Sequence, residues 1–456
     1  MREYLPSGFL TKERTQIGSK KQFSTQSTYS VVGKLKTYTD VHSQKLEIQY
    51  DQFGRPKQVV QGGKPKNEFK YDEFGREIER TVFTGKELLH QLGQTYNEMH
   101  LLINRTLKDS KSILLREESF EYDQQYRLID YKYQGAQPMV DEAGQNIQRQ
   151  QFSFDKYENL VKIVNTFQDG SQNTRKNIFG SEGPTQLINI TNTHKEYASE
   201  IALEYDRNGC LIRDEQGRRL NYDAKGRLSM VSDAKDKILS HHCYDASGKL
   251  VCQKADGIAS FLHCRNNKIV ALTCGGHKIS FPPMLKPTGV KFHRRKMGAL
   301  RLVFGQTAIS QSWHGLTRRN RTISSTNSTC LMDMGHQALG FNGQWRDPTT
   351  SWYHLGNGCR VYNPVLMRFH SPDQWSPFLS GEINPYGYCL GDPISHIDPT
   401  GHRKQQPLSK PLGPLQVTFK EGPLLNGPEG QPPWTGHVDY FDTIDSMPGL
   451  QDIRDS

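Results

Sequence analysis

Between about residue 35 and residue 255, apolar and polar positions alternate in short runs, each closed by the same kind of turn-forming hexamer. KLEIQY at Lys45–Tyr50 and HCYD at His242–Asp245 put every second side chain on one face, the period of a β-strand. The hexamers are YDQFGR at Tyr50–Arg55, YDEFGR at Tyr71–Arg76, YDQQYR at Tyr122–Arg127 and FDKYEN at Phe154–Asn159. They return as YDRNGC at Tyr205–Cys210, YDAKGR at Tyr222–Arg227 and YDASGK at Tyr244–Lys249. The first two tyrosines lie 21 residues apart and the last three 17 and 22 apart, room for a strand, a turn, a returning strand and a connection. The aromatic ends the incoming strand and packs inward. Asp accepts backbone N–H bonds in the turn, Gly supplies the left-handed residue, and the basic residue opens the return strand. One hairpin cannot bury its aromatic face alone, whereas a stack can. The pattern therefore predicts an all-β chain of stacked hairpins.

Outside the clear copies the pattern weakens. Tyr126 stands where the turn Gly belongs, and Glu158-Asn159 stand for Gly-Arg, so both turns are expected to be looser or of another type. Residues 86–118 read as irregular or partly helical. In residues 256–339, KIVALTC at Lys268–Cys274 and ALRLVFG at Ala299–Gly305 read as strands, and TRRNRTISSTNSTC as an exposed loop. Residues 1–34 read as a lead-in.

Composition narrows the class. Hydrophobic residues are 34% of the 456 and mean hydropathy is −0.72, yet aromatics reach 10%, with 20 Tyr and 20 Phe. Disordered chains are aromatic-poor, so narrow sheets wetted on one face fit better. The +10 charge, from 58 basic and 48 acidic residues, is modest for the length. The basic clusters HRRK at His293–Lys296 and RRNR at Arg318–Arg321 carry no interleaved aromatics, which argues against a nucleic-acid partner. The eight cysteines, Cys210, Cys243, Cys252, Cys264, Cys274, Cys330, Cys359 and Cys389, show no zinc-type spacing. His241, His242 and Cys243 are neighbours on one strand and alternate faces, so no metal and no cofactor is expected. No apolar run is long enough for a membrane span, and the N-terminus lacks the apolar core of a signal peptide. Synthesis in the cytoplasm, with free thiols, is the expectation.

The turn-rich stretch Gly340–His402 is dense in Gly, Pro, Asn, Asp, Tyr and Trp. With the repeats, it identifies the chain as similar to the RHS/YD-repeat family. LGFNGQ, YHLGNGCRVYNPVLMRFHSPD, INPYGYCLGDP and IDPTGH resemble, in order, the RHS repeat-associated core of insecticidal Tc toxin C components and orphan pseudomonad RHS proteins. The resemblance covers about residues 35–402. It implies a curled or spiral β-sheet shell closed by the core at 340–402. It also implies an intramolecular aspartyl protease that cuts just after the Asp-Pro-x-Gly-x turn. Matched position by position, the carboxylates are Asp373 and Asp398, the strand arginine is Arg360, and the cut follows His402.

Two carboxylates held close cannot both ionise freely, so one keeps a proton while the other activates water. Arg360 is expected to orient one carboxylate bidentately or to neutralise part of the pair's charge. Asp before or after Pro is also an ordinary turn cap, and Asp392 is read as one. Residues 403–456 hold eight prolines and too little apolar surface for a core of their own, and His437, Asp439 and Asp442 form no convincing site. The tail is read as the released substrate, extended and partly disordered. By resemblance, the partners are a second shell-forming protein and a pore-forming component; seven recognisable hairpins suggest a truncated member or one completed by another chain. Two other readings stay open: a non-enzymatic structural or adhesive shell with the aspartates as caps, and a tail that is itself an effector.

Overall fold

The structure, a computed structural model, describes residues 1–402 except 18–20, 41–42, 63–65, 142, 266–267, 275–276, 281–289, 294–300, 305–343 and 377–382. The cluster Arg318–Arg321, the loop read over 317–330, Cys330 and the tail with His437, Asp439 and Asp442 lie outside the described residues. The described chain is almost wholly β, its one helical element being a 3₁₀ turn at Cys389–Gly391. No described helix is long and apolar enough to cross a membrane. Arg2–Tyr4 to Glu200–Ala202 forms an 18-stranded antiparallel sheet, and Glu204–Tyr205 to His277–Ser280 a nine-stranded one. Nearly every strand pairs with the next in sequence, as a hairpin stack requires.

The hexamer explains the hairpin atom by atom. In the first copy Asp51 N donates to Arg55 O at 2.8 Å and Gly54 N to Asp51 O at 2.9 Å. Asp51 Oδ1 accepts from Phe53 N and Arg55 N, and Oδ2 from Arg55 Nε at 2.6 Å. Gly54 is left-handed, φ 73°, and the strand register shifts between Gln49 and Tyr50. This is a tight turn closed by a left-handed residue, with a bulge at the tyrosine. The same shift falls at Tyr71, Tyr122, Tyr222 and Tyr244.

The tyrosine also reaches backwards. Tyr71 Oη donates to Pro56 O, Tyr122 Oη to Leu102 O and Tyr244 Oη to Leu228 O, each at 2.7–2.8 Å. The basic residue reaches forwards: Arg55 lies 4.6 Å over the Tyr71 ring, Arg76 4.8 Å over Tyr96 and Arg227 4.4 Å over Tyr244. Hexamers with both the tyrosine and the arginine thus clasp their neighbours on both sides.

Two expectations are corrected. Residues 86–118 are not irregular or helical: Glu87–Tyr96, Leu102–Asp109 and Leu114–Tyr122 are strands. The repeat persists there in disguise, with Asn97 as the Asp and left-handed His100, φ 63°, as the Gly. Nor are the turns at Tyr126 and Glu158 of another type. Both residues take the left-handed conformation, φ 63° and 60°, and keep the same backbone hydrogen bonds. The Asp side chain and the stack hold the turn, at a strain cost of about 1–2 kcal/mol per non-Gly residue. KIVALTC is a strand as read, and Arg301–Phe304 pairs with Val290–His293.

The core stretch adds a small antiparallel sheet of Trp345–Arg346, Tyr353–Leu355, Arg360–Asn363 and Arg368–Phe369. It packs on the sheets through shared apolar clusters. Trp352 and Val361 join Leu220, Leu228 and Val231; Trp345 joins Leu250, Leu262 and Leu272; Leu366 joins Leu187, Ile190, Leu203 and Leu211. Polar bonds fix the register of core on shell. Asn363 Nδ2 donates to Glu215 Oε2 at 2.8 Å, Tyr386 Oη to Gly209 O at 2.7 Å, and Asn384 Nδ2 to Asn159 Oδ1 at 2.8 Å.

Candidate active site

Arg360 opens a four-residue strand, RVYN, in which every residue is buried. The turn before it lies directly on the Asp398 turn: a Cβ on Gly356, φ +58°, would stand 1.9 Å from Thr400 O. Only glycine permits that approach. The Arg360 guanidinium sits 3.6 Å over the Phe369 ring. Its Nη1 donates to Pro385 O at 2.9 Å and its Nε to Gly401 O. So held, Nη2 points at both aspartates, 3.3 Å from Asp373 Oδ2 and 3.7 Å from Asp398 Oδ2. One nitrogen lies near both carboxylates, the geometry of a shared counter-charge and not of a bidentate grip on one.

Each aspartate divides its oxygens between turn and site. Asp373 N donates to Pro385 O at 2.9 Å, while Asp373 Oδ1 accepts from Trp375 N at 3.0 Å and His402 Nδ1 at 2.8 Å. Asp398 Oδ1 accepts from Thr400 N, Gly401 N and His402 N at 2.8–3.2 Å, capping the Asp-Pro-Thr-Gly turn. Both residues are nearly inaccessible, 6% and 4% exposed. The cap and the site are two ends of one side chain. Asp392, by contrast, only caps: Oδ1 accepts from Ile394 N and Ser395 N, and Oδ2 meets His396.

His402 is more than a boundary marker. Its Nε2 lies 3.0 Å from Cys359 Sγ, and its ring stacks on Trp375 at 4.4 Å. The hydrogen bond with Asp373, then that with Cys359, pushes the imidazole up to about 9. Burial pushes the Asp373 carboxyl up, but the bond from His402 and the Arg360 charge outweigh it and hold it below the ordinary range. Arg360, Asp373, Asn384, Pro385, Asp398 and His402 thus enclose one small polar space. Sequence reading placed the three charged residues here and missed the side-chain roles of His402 and Cys359, which lie 43 residues apart with no local signal.

One other cluster has ligand-type chemistry among the described residues: His242, Asp347 and His354, all buried. His241 and Cys243 face outward, as alternation requires, while His242 meets partners more than a hundred residues away.

Hairpin stack and buried core together define an all-β fold of sequentially paired hairpins. The fold is that of the shell in Tc toxin complexes. The chain is similar to the structure of TcdB2-TccC3 without its hypervariable C-terminal region, at TM-score 0.60 and 14% identity, covering 87% of this chain and 23% of that one. It is similar also to the Tc holotoxin pore of Photorhabdus luminescens, at TM-score 0.59 and 14% identity over 87% and 23%. By sequence it is 21% identical over 347 residues to double-stranded DNA deaminase toxin A of Burkholderia cenocepacia (strain H111), covering 65% of this chain and 24% of that one. The chain therefore spans about a quarter of the length of these proteins. No protein-family model matches it.

Proposed function

We propose that the core is an intramolecular aspartyl protease that cleaves the peptide bond after His402, using Asp373, Asp398 and Arg360. The observation that carries this reading is Arg360 Nη2 between the two buried carboxylates, 3.3 and 3.7 Å away, at the turn that ends in His402. One carboxyl of the dyad keeps a proton while the other is ionised. Water then attacks the His402 carbonyl carbon and gives a proton to the ionised carboxylate. The C–N bond breaks, and the protonated carboxyl gives its proton to the Arg403 nitrogen. The dyad titrates as a unit. Because the Asp398 turn carries the bond, a single turnover proceeds at high effective concentration.

The RHS-type shell fold supports a wider role as a toxin-delivery chain. In that role the shell holds the piece beginning at residue 403, a second shell protein completes the enclosure, and a pore-forming component receives the piece. Intact-mass analysis of the expressed chain tests the chemistry. The expected result is a cut after His402, abolished by Asp373→Asn or Asp398→Asn; Asn keeps the Oδ1 that caps each turn. A wild-type chain that stays whole would sink the protease and leave a structural shell with capped turns.

A further inference from the structure

We propose that His242, Asp347 and His354 form a zinc-type metal site that clamps the core onto the hairpin stack. His242 lies on the strand Ile238–Tyr244 of the stack. Asp347 begins the turn of the core's first hairpin, and His354 lies on that hairpin's second strand, Tyr353–Leu355. His242 Nε2 is 3.1 Å and His354 Nε2 3.7 Å from Asp347 Oδ2, and one ligand atom from each residue falls within 4.8 Å of the others. Ligand atoms about 2.0–2.2 Å from a tetrahedral zinc stand about 3.3–3.5 Å apart, and the two observed separations bracket that value. Two imidazoles and one carboxylate, with no thiolate, suit a borderline divalent ion such as zinc and not the all-oxygen preference of calcium or magnesium.

Hydrogen bonding alone leaves the cluster incomplete. All three side chains are fully buried. Asp347 Oδ1 already accepts from Thr349 N at 2.7 Å and Thr350 N at 3.2 Å, which orients the carboxylate and leaves Oδ2 for the imidazoles. A single N–H from His242 satisfies that oxygen. Both ring nitrogens of His354 and Nδ1 of His242 then have no hydrogen-bond partner among the described residues. Every neutral imidazole carries an N–H and a lone pair, and burying either without a partner is destabilising. A cation at the point where His242 Nε2, His354 Nε2 and Asp347 Oδ2 converge turns two lone pairs and a charge into bonds. This inference does not rest on the proposed cleavage chemistry.

The test uses the full chain, expressed without a polyhistidine tag in zinc-supplemented medium and desalted. Elemental analysis is expected to find about one zinc per chain. His354→Leu and His242→Gln should lose it, while His241→Gln, on the opposite face of the same strand, should keep it. Should the two variants fold poorly, wild-type protein stripped by a chelator is reloaded with cobalt(II). The expected result is visible tetrahedral absorption without a thiolate charge-transfer band, and a raised unfolding temperature with either zinc or cobalt. No stoichiometric metal, no thermal response, or a thiolate band pointing to the cysteines would each overturn the site.

Discussion

At the scale of single residues, His402 ties the candidate site together, since it touches Asp373, Cys359 and Trp375 at once. Its ring, near 6.5 in an unfolded chain, is held at about 9. A raised histidine stabilises the fold fully below pH 6.5, and that contribution fades as pH climbs through 9. In the uncleaved Asp398→Asn chain, the His402 ring resonances should therefore titrate well above 6.5. Asp373→Asn, which removes the anionic partner, should bring the midpoint back down. A ring titrating near 6.5 with Asp373 intact would show that the pair does not form. The same residues explain why a turn cap and a catalytic carboxylate were hard to separate from sequence. In Asp373 and in Asp398, Oδ1 does the capping and Oδ2 faces Arg360.

At the scale of the hairpin, the unit of stability is a contact between successive turns. Tyr244→Phe keeps the ring beneath Arg227 and removes only the bond to Leu228 O. The cost should be about 1 kcal/mol, read as a lower urea midpoint at unchanged slope, because the buried carbonyl loses its partner. No change in midpoint would mean that the backward reach of the tyrosine is incidental. This linkage also fixes what could be read from the chain. Seven copies were legible because Tyr, Asp and the basic residue each have a fixed task. The copy at Tyr96–Leu101 was hidden because Asn97 replaces the Asp and His100 the Gly, substitutions the geometry tolerates but a residue pattern does not reveal. Tyr29–Lys34 was hidden too, with Ser30 in the Asp position: its hydroxyl accepts from Lys34 N and its carbonyl from Gly33 N. The Arg360–Asp373–Asp398 set was legible through motif resemblance. Cys359 with His402, and His242 with Asp347 and His354, were not, since they meet only when distant segments pack.

At the scale of the whole described fold, the seam between core and shell carries a buried acid that the apolar pattern does not foreshadow. Glu215 sits in a hairpin turn of the stack, accepts from Asn363 of the core at 2.8 Å, and lies 3.4 Å from Arg218. Burial, then the neighbouring Asp214, pushes its carboxyl from an ordinary 4.5 up to about 7, against the smaller pull of Arg218. An acid raised on folding binds its proton in the native state over a range where the unfolded chain has lost it. The fold is then most favoured below pH 4.5 and loses stability as pH rises toward 7, beyond which the difference is constant. A shift of that size corresponds to roughly 3 kcal/mol. Glu215→Gln keeps an oxygen for Asn363 and removes the charge, while Arg218 retains Asp214 Oδ2 at 2.5 Å. The variant should therefore match the wild type near pH 4 and become progressively more stable than it up to pH 7, with no further gain at pH 8. Thermal unfolding of both chains across that range checks the prediction, and parallel curves would mean that Glu215 titrates alike in the folded and unfolded chains. Core and stack are joined by apolar clusters, which pH does not touch, and by titratable contacts, of which Glu215–Asn363 is one. The loosening between pH 4.5 and 7 would act at that contact and leave the Trp352 and Trp345 clusters in place.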